Sequence, residues 1–175
     1  YPLKGWQLVL GEMLAPAVIL TAIQWCLVIF SAGLFSHSNE RFLAGAGSLS
    51  IGLGAAMLVP ALNFIILLIP NAAVLIFPAW FLPGKEAAHG IEATGQRIIF
   101  MLGQLLVFLL TLIPPAIGFA LVFLGMRYFL AANLVVAIPI ASFAAAVVLA
   151  GEGALGLSLL GHFFERFDLS SELNS

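Results

Sequence analysis

The chain has 175 residues, of which 63% are hydrophobic and 8% charged, and its formal net charge is −2. An ordinary soluble domain is roughly 45–50% apolar and about 25% charged, so a soluble fold of this length would leave too much apolar surface in water. The composition therefore excludes that class, and the lack of a basic patch argues against nucleic acid as a partner. We predict an all-α integral membrane protein whose main partner is the lipid bilayer.

Charged residues divide the sequence into four apolar runs, each long enough for a spanning helix of about 20 residues. The runs without Asp, Glu, Lys or Arg are Met13–Ser36, Leu43–Gly84, Ile98–Met126 and Tyr128–Gly151. Transmembrane β-strands are about half as long and alternate in polarity, which these runs do not. We predict one transmembrane domain over residues 1–175, with about four transmembrane helices at 13–36, 44–69, 96–125 and 130–165.

The second run is too long for one crossing, because a helix over all of 43–84 would reach about 63 Å. We predict that it breaks at Pro70 and Asn71, since proline removes a helical hydrogen bond and clashes with the preceding turn. Residues 71–82 are then too short to cross and are predicted to form an interfacial or re-entrant segment. A split at Pro60 into two short spans is the alternative.

Four spans would place both ends of the chain on one side of the membrane, and the basic residues indicate which side. The predicted inside segments contain Lys4, Lys85, Arg97 and Arg166, and the outside segments contain Arg41 and Arg127. Cytoplasmic loops carry an excess of Lys and Arg. Both ends are therefore expected to be cytoplasmic.

Small residues recur at helical spacing in two places. Residues 151–156, Gly-Glu-Gly-Ala-Leu-Gly, match the G-x-G-x-x-G pattern, but a dinucleotide site needs a strand before it and a βαβ unit around it. Here the pattern ends an apolar helix, so close helix packing explains it better. The same interpretation applies to Ser48, Gly52 and Ala56, which share one helix face.

Four polar residues in apolar surroundings are candidates for a functional or packing role. Intramembrane charges are costly and often functional, but about 20 apolar residues precede Glu152, so we expect it near the inner interface, either functional or in an interfacial or interhelical pair. Asn63, Asn71 and Asn133 are expected to hydrogen-bond between helices. A polar path through the membrane is the alternative for these three.

No pattern in the sequence indicates catalysis, a cofactor or a metal ion, and we predict that the chain is not an enzyme. Ser158 and His162 could share a helix face, but nothing supplies an oriented base and an oxyanion hole. The histidines are scattered and lack metal-ligand spacing. The sequence has no G-x-x-x-x-G-K-[ST] phosphate loop, so any ATP hydrolysis must take place on another chain.

Three stretches resemble known membrane proteins. Residues 1–14, YPLKGWQLVLGEML, resemble the segment of type-2 ATP-binding-cassette exporter permeases that enters the third span, with a Tyr-Pro pair, a short turn and a Gly-Glu pair. Residues 71–80 with 90–96, and residues 164–170, resemble a bacterial subgroup of the same class. Such permeases usually have six or more spans, so this chain would be the C-terminal portion.

The resemblance implies the membrane-spanning permease part of an ATP-driven exporter in the bacterial cytoplasmic membrane. It implies a homo- or heterodimer of membrane halves and a separate cytoplasmic ATPase subunit. The residues expected to contact that subunit are Pro2, Leu3, Lys4, Trp6 and Glu12. A non-transporting helical scaffold or assembly subunit is the alternative, and a secondary transporter is a third, although that class often places ionisable residues at the bilayer midplane.

The predicted topology can be tested with single cysteines at Ser38 and His89 in a Cys26→Ser background. An impermeant thiol reagent added outside intact cells should label Ser38→Cys and spare His89→Cys, because residues 35–41 and 126–131 are expected outside and residues 85–97 inside. Equal labelling of the two variants, or labelling of His89→Cys alone, would contradict this topology.

Overall fold

The computed structural model describes residues 5–36, 45–77 and 91–166, and in these ranges it contains five α-helices and no strand. The helices are α1 (Gly5–Phe35), α2 (Ala46–Ile76), α3 (Ile91–Thr111), α4 (Ile113–Tyr128) and α5 (Leu134–Arg166). Four segments are long and apolar enough to cross a membrane, namely Gly5–Phe35, Ala46–Ile76, Arg97–Tyr128 and Leu134–Phe163. The predicted all-α membrane class is confirmed.

Contacts between helices show which helix ends lie at the same end of the bundle. Near the end of α1, the Ala32 carbonyl accepts a hydrogen bond of 3.2 Å from the hydroxyl of Ser48, which lies at the start of α2. At the opposite end of the bundle, a Cβ atom added to Gly161 in α5 would lie 2.7 Å from the backbone nitrogen of Trp6 in α1. The start of α1 and the end of α5 are therefore neighbours, as an even number of crossings requires.

The paired helices α2 and α5 form the centre of the bundle. α1 packs against both of them, α4 packs along α5, and α3 contacts α2 and α4. The buried apolar core lies between α1, α2 and α5 and consists of Val9, Met13, Ile65, Leu68, Leu149, Leu157 and Leu160. Most other large apolar side chains of the described residues are exposed, which fits a surface surrounded by lipid tails.

Glycines allow the backbones of α2 and α5 to approach each other. An added Cβ would lie 2.9 Å from Phe64 Cδ1 at Gly153, and 2.7 Å from Leu68 Cδ2 at Gly156. On the other side of α2, a Cβ on Gly52 would lie 3.1 Å from the Ala32 Cβ of α1. Both small-residue patterns thus serve close helix packing, as predicted.

α2 runs without a break from Ala46 to Ile76, so the predicted helix end at Pro70 and Asn71 is wrong. A helix inside a membrane tolerates proline when nearby groups satisfy the backbone around the missing N–H. Here the Asn71 side-chain amide donates a 2.8 Å hydrogen bond to the Leu67 carbonyl, one turn earlier. This carbonyl lies next to that of Ile66, which Pro70 leaves without its helical donor, so the Asn71 side chain bonds to the backbone beside the proline.

The predicted interfacial or re-entrant segment at residues 71–82 is therefore wrong for its first six residues. Residues 71–76 continue the spanning helix, whereas residues 78–82 lie outside the described residues. The alternative split at Pro60 is also wrong, because α2 is continuous there.

The other helix boundaries differ from the predicted spans by a few residues to two turns. α1 begins at Gly5 rather than near 13, because the charged side chain of Glu12 is exposed and does not interrupt the helix. α3 begins at Ile91, so the predicted 85–97 loop is helical from that residue onwards. α5 begins at Leu134, after a short turn that Arg127 supports by donating a 2.9 Å hydrogen bond to the Ala132 carbonyl.

Proline at position 60 removes the N–H that would bond to the carbonyl of Ala56, four residues earlier. In the structure that carbonyl accepts a 2.9 Å hydrogen bond from the indole Nε1 of Trp25 on α1. Inside a membrane no water can take this place. The carbonyl that Pro60 leaves free therefore holds α2 to α1 through a hydrogen bond.

A second proline, Pro139 in α5, leaves the Val135 carbonyl without its helical donor in the same way. The hydroxyl of Ser50 on α2 donates to that carbonyl at 2.8 Å. The two contacts link three spans through backbone acceptors that regular helices would not expose.

The hydrogen bond between Trp25 and the Ala56 carbonyl predicts a specific double-mutant result. Trp25→Phe should destabilise the folded bundle by about 1 kcal/mol, because the carbonyl loses its donor. In a Pro60→Ala background the restored N–H can bond to the same carbonyl, so Trp25→Phe should reduce the stability of the bundle by less.

Unfolding of the four proteins of this cycle, titrated with a denaturing detergent in micelles, measures both costs. An equal cost of Trp25→Phe with and without Pro60 would show that the indole only packs against α2.

Candidate functional site

A cleft of about 800 Å³ lies between α3 and the paired helices α2 and α5. Its size falls in the range of roughly 300–1,000 Å³ that is typical of small-molecule sites. α2 contributes the face from Ile65 to Phe77, α3 the face from Ile99 to Thr111, and α5 the face from Glu152 to Leu160. It lies in the half of the bundle where α1 begins and α5 ends.

Beside the cleft, the third span is interrupted at a single residue, Leu112, whose own backbone stays helical. α3 ends at Thr111 and α4 begins at Ile113, with Pro114 and Pro115 in the first turn of α4. Two consecutive prolines remove two backbone donors and disturb the turn before them. α4 packs along α5, whereas α3 contacts α2 and α4 and stands apart from α5 across the cleft.

Glu152 is the only charged residue among those described as lining the cleft. It is two residues from Ala150, the middle residue of α5. The predicted depth of Glu152 near the inner interface stays a prediction. Its Oε2 atom is buried and has no hydrogen-bond partner among the described residues. The interhelical pair expected for Glu152 is therefore not formed at Oε2 within those residues.

Two neutral polar side chains also line the cleft on the α3 side. The Thr111 hydroxyl donates to the Val107 carbonyl of its own helix at 2.9 Å, so its proton is already used. Gln104 is half-buried and carries an amide that can both donate and accept. The polar chemistry of the cleft therefore rests mainly on one carboxyl group and one amide.

Asn63 is buried in α2 and links two helices, as predicted. Its side-chain amide donates to the Thr21 hydroxyl at 3.0 Å and to the Gln24 side-chain oxygen at 2.7 Å, both on α1. Neither partner was identified from the sequence. A Thr and a Gln three residues apart in an apolar run could have signalled a helix-helix contact.

The hydrogen bonds that the structure describes for the other two asparagines lie within or next to their own helix, so it shows no interhelical bond for them among the described residues. Asn71 donates to Leu67 of α2. Asn133 precedes α5, and its Oδ1 accepts a 3.2 Å hydrogen bond from the backbone N–H of Val135. This is the geometry of a helix N-cap, which asparagine favours because its short side chain can satisfy a free N–H.

The residues expected to contact an ATPase are only partly described. Pro2, Leu3 and Lys4 lie outside the described residues. Trp6 is in the first turn of α1 and packs against Gly161, a role in helix packing that the sequence did not suggest. Glu12 is exposed on α1, toward the same end of the bundle.

The described part of the cleft offers an apolar wall, one carboxyl group and one amide to a bound molecule. Among the described residues there is no group of three or more His, Cys, Asp and Glu side chains that could hold a metal ion. Comparison of the chain with known protein families, with curated proteins and with solved structures finds no match.

The contrast between two asparagines of α2 gives a stability test. Asn63→Ala should destabilise the bundle by about 1 kcal/mol, because it removes two interhelical hydrogen bonds and leaves Thr21 and Gln24 without that partner. Asn71→Ala is the matched control, since its bond stays within α2 and should contribute less to helix association.

Thermal unfolding in one detergent can compare both variants with the original chain. An equal loss of stability for the two variants would contradict an interhelical role specific to Asn63.

Proposed function

We propose that this chain is the membrane-spanning permease part of an ATP-driven exporter, and that the cleft between α2, α3 and α5 receives the transported molecule. The observation that carries the proposal is the cleft itself, which lies in the membrane-spanning bundle beside the two consecutive prolines of the third span. Small-molecule sites commonly lie in clefts between the helices of a bundle. Pro114 and Pro115 remove two helical hydrogen bonds near the junction of α3 and α4, and we propose this junction as the hinge for opening and closing.

A helical scaffold accounts less well for the cleft. Helices associate in membranes largely through van der Waals packing, and an assembly subunit gains nothing from holding one half of a span away from its neighbours. α1, α2 and α5 are joined by close packing and cross-helix hydrogen bonds. The looser placement of α3 is the feature that a moving part requires.

The assignment of ATP as the energy source rests on the resemblance of residues 1–14 to exporter permeases. We propose a cytoplasmic ATPase bound at the end of the bundle where α1 begins, with Pro2, Leu3, Lys4, Trp6 and Glu12 in or near the contact. Pairing with a second membrane half and residence in the bacterial cytoplasmic membrane belong to the same proposal.

A secondary transporter is the second candidate, and Glu152 favours it. An ionisable residue near the middle of a spanning helix, facing a cleft, is a common feature of ion-coupled transport. The spans appeared free of charge near their centres in the sequence, but α5 places Glu152 close to its own centre. The two candidates differ in whether an ATPase is required.

Purification of the permease from its native membrane, through a tag on the permease, tests the proposal by whether a cytoplasmic ATPase is recovered with it. The ATPase should be recovered in a fixed ratio, and Lys4→Glu should reduce its recovery by about tenfold at equal permease levels, because a reversed charge opposes the contact. Arg41→Glu, at a residue that the sequence predicts to lie outside, is the matched control and should leave recovery unchanged.

Failure of the unaltered permease to bind the ATPase would contradict ATP-driven export and favour the secondary transporter. Equal recovery with Lys4→Glu would exclude Lys4 from the contact.

A further inference from the structure

We infer that the cleft between α2, α3 and α5 binds an organic monocation with an apolar body, with Glu152 as the partner of its positive charge. This inference rests on the proposed function, because it names the class of molecule that the same cleft receives. Three observations lead to it: the sign of the one charge in the cleft, the apolar character of the remaining wall, and the position of the opening.

The negative charge of Glu152 favours a cationic ligand. Glu152 supplies the only ionisable group of the described cleft wall, and its Oε2 atom is buried without a hydrogen-bond partner among the described residues. A carboxylate held away from water is costly unless a cation or a hydrogen-bond donor accompanies it. A bound cation would provide that partner, whereas an anion of equal size would add a second negative charge beside the first.

The apolar side chains of the remaining wall favour a ligand whose bulk is apolar. Ile65, Leu68, Ile69 and Ala72 of α2 face Ile99, Phe100 and Val107 of α3 across the cleft. A volume of about 800 Å³ is far larger than a metal ion or a small ammonium ion would fill. Burial of apolar ligand surface contributes about 25 cal/mol per Å², so a bulky hydrophobic cation gains from both parts of the site.

The opening of the cleft indicates where such a molecule enters. Ile99 on α3 is 63% exposed and Leu155 on α5 is 68% exposed, although both line the cleft. The gap between α3 and α5 therefore reaches the surface of the bundle that faces lipid. Hydrophobic cations accumulate in bilayers, so this gap gives them a direct route to Glu152.

The probe is tetraphenylphosphonium, measured by equilibrium dialysis against the full chain in a non-ionic detergent at fixed pH and salt. We expect saturable binding with one site per chain. Glu152→Gln should weaken binding by at least about tenfold, because the amide keeps the shape of the side chain and removes the charge. Glu12→Gln, an exposed glutamate of α1 outside the cleft, should bind as the original chain does.

Two further comparisons separate this site from general apolar binding. Tetraphenylborate has nearly the same shape and the opposite charge, and it should show no saturable binding. Gly103→Phe should fill the cleft and weaken binding of tetraphenylphosphonium, whereas Gly125→Phe on α4 should not. Neither glycine has a heavy atom within 4 Å of an added Cβ, so both substitutions have room to fold.

Unchanged binding by Glu152→Gln, or equal binding of the borate anion, would overturn the inference, as would the absence of saturable tetraphenylphosphonium binding. Each variant must elute as a monodisperse species in size-exclusion chromatography before it is compared. ATPase recovery is measured on the same preparations. Loss of cation binding with normal ATPase recovery rejects the ligand class alone, and loss of ATPase recovery rejects the proposed function.

Discussion

The bundle depends on one constraint, which is that a backbone carbonyl inside a membrane needs a donor from the protein. Prolines at positions 60 and 139 each remove a helical donor, and Trp25 and Ser50 supply replacements from neighbouring helices. The consequence is that α2 depends on α1, and α5 depends on α2. Residues that would disrupt isolated helices thus connect three spans into one unit, and this unit provides the fixed wall of the cleft.

The third span also contains prolines, which remove backbone N–H donors from its helix. Pro114 and Pro115 follow the junction of α3 and α4, where Leu112 keeps a helical backbone. α4 packs on α5 whereas α3 does not, and the cleft lies between α3, α2 and α5. A tightly packed unit of three helices beside one loosely packed segment is a division suited to binding a molecule and then releasing it.

The membrane class and the four spans followed from the sequence because long apolar runs satisfy a requirement of the solvent rather than of any particular contact. Pro70 shows where this reasoning fails, since proline often ends helices in soluble proteins but is tolerated inside membrane-spanning helices. The role of Asn63 could be predicted, but not its partners on α1. The cleft depends on how far α3 stands from α5, and no local pattern of residues encodes that distance.

The lengths of the helices have a consequence for the surrounding bilayer. The four spans contain 30 to 32 residues each, or about 45–48 Å of helix, against a hydrocarbon layer of about 30 Å. Tilting and local thickening can relieve such a mismatch at a modest cost per ångström. α1, α2 and α5 are bound to one another, so α3 is the element freest to tilt. We expect the width of the cleft to vary with acyl-chain length, which would make lipid composition a control on what the protein admits.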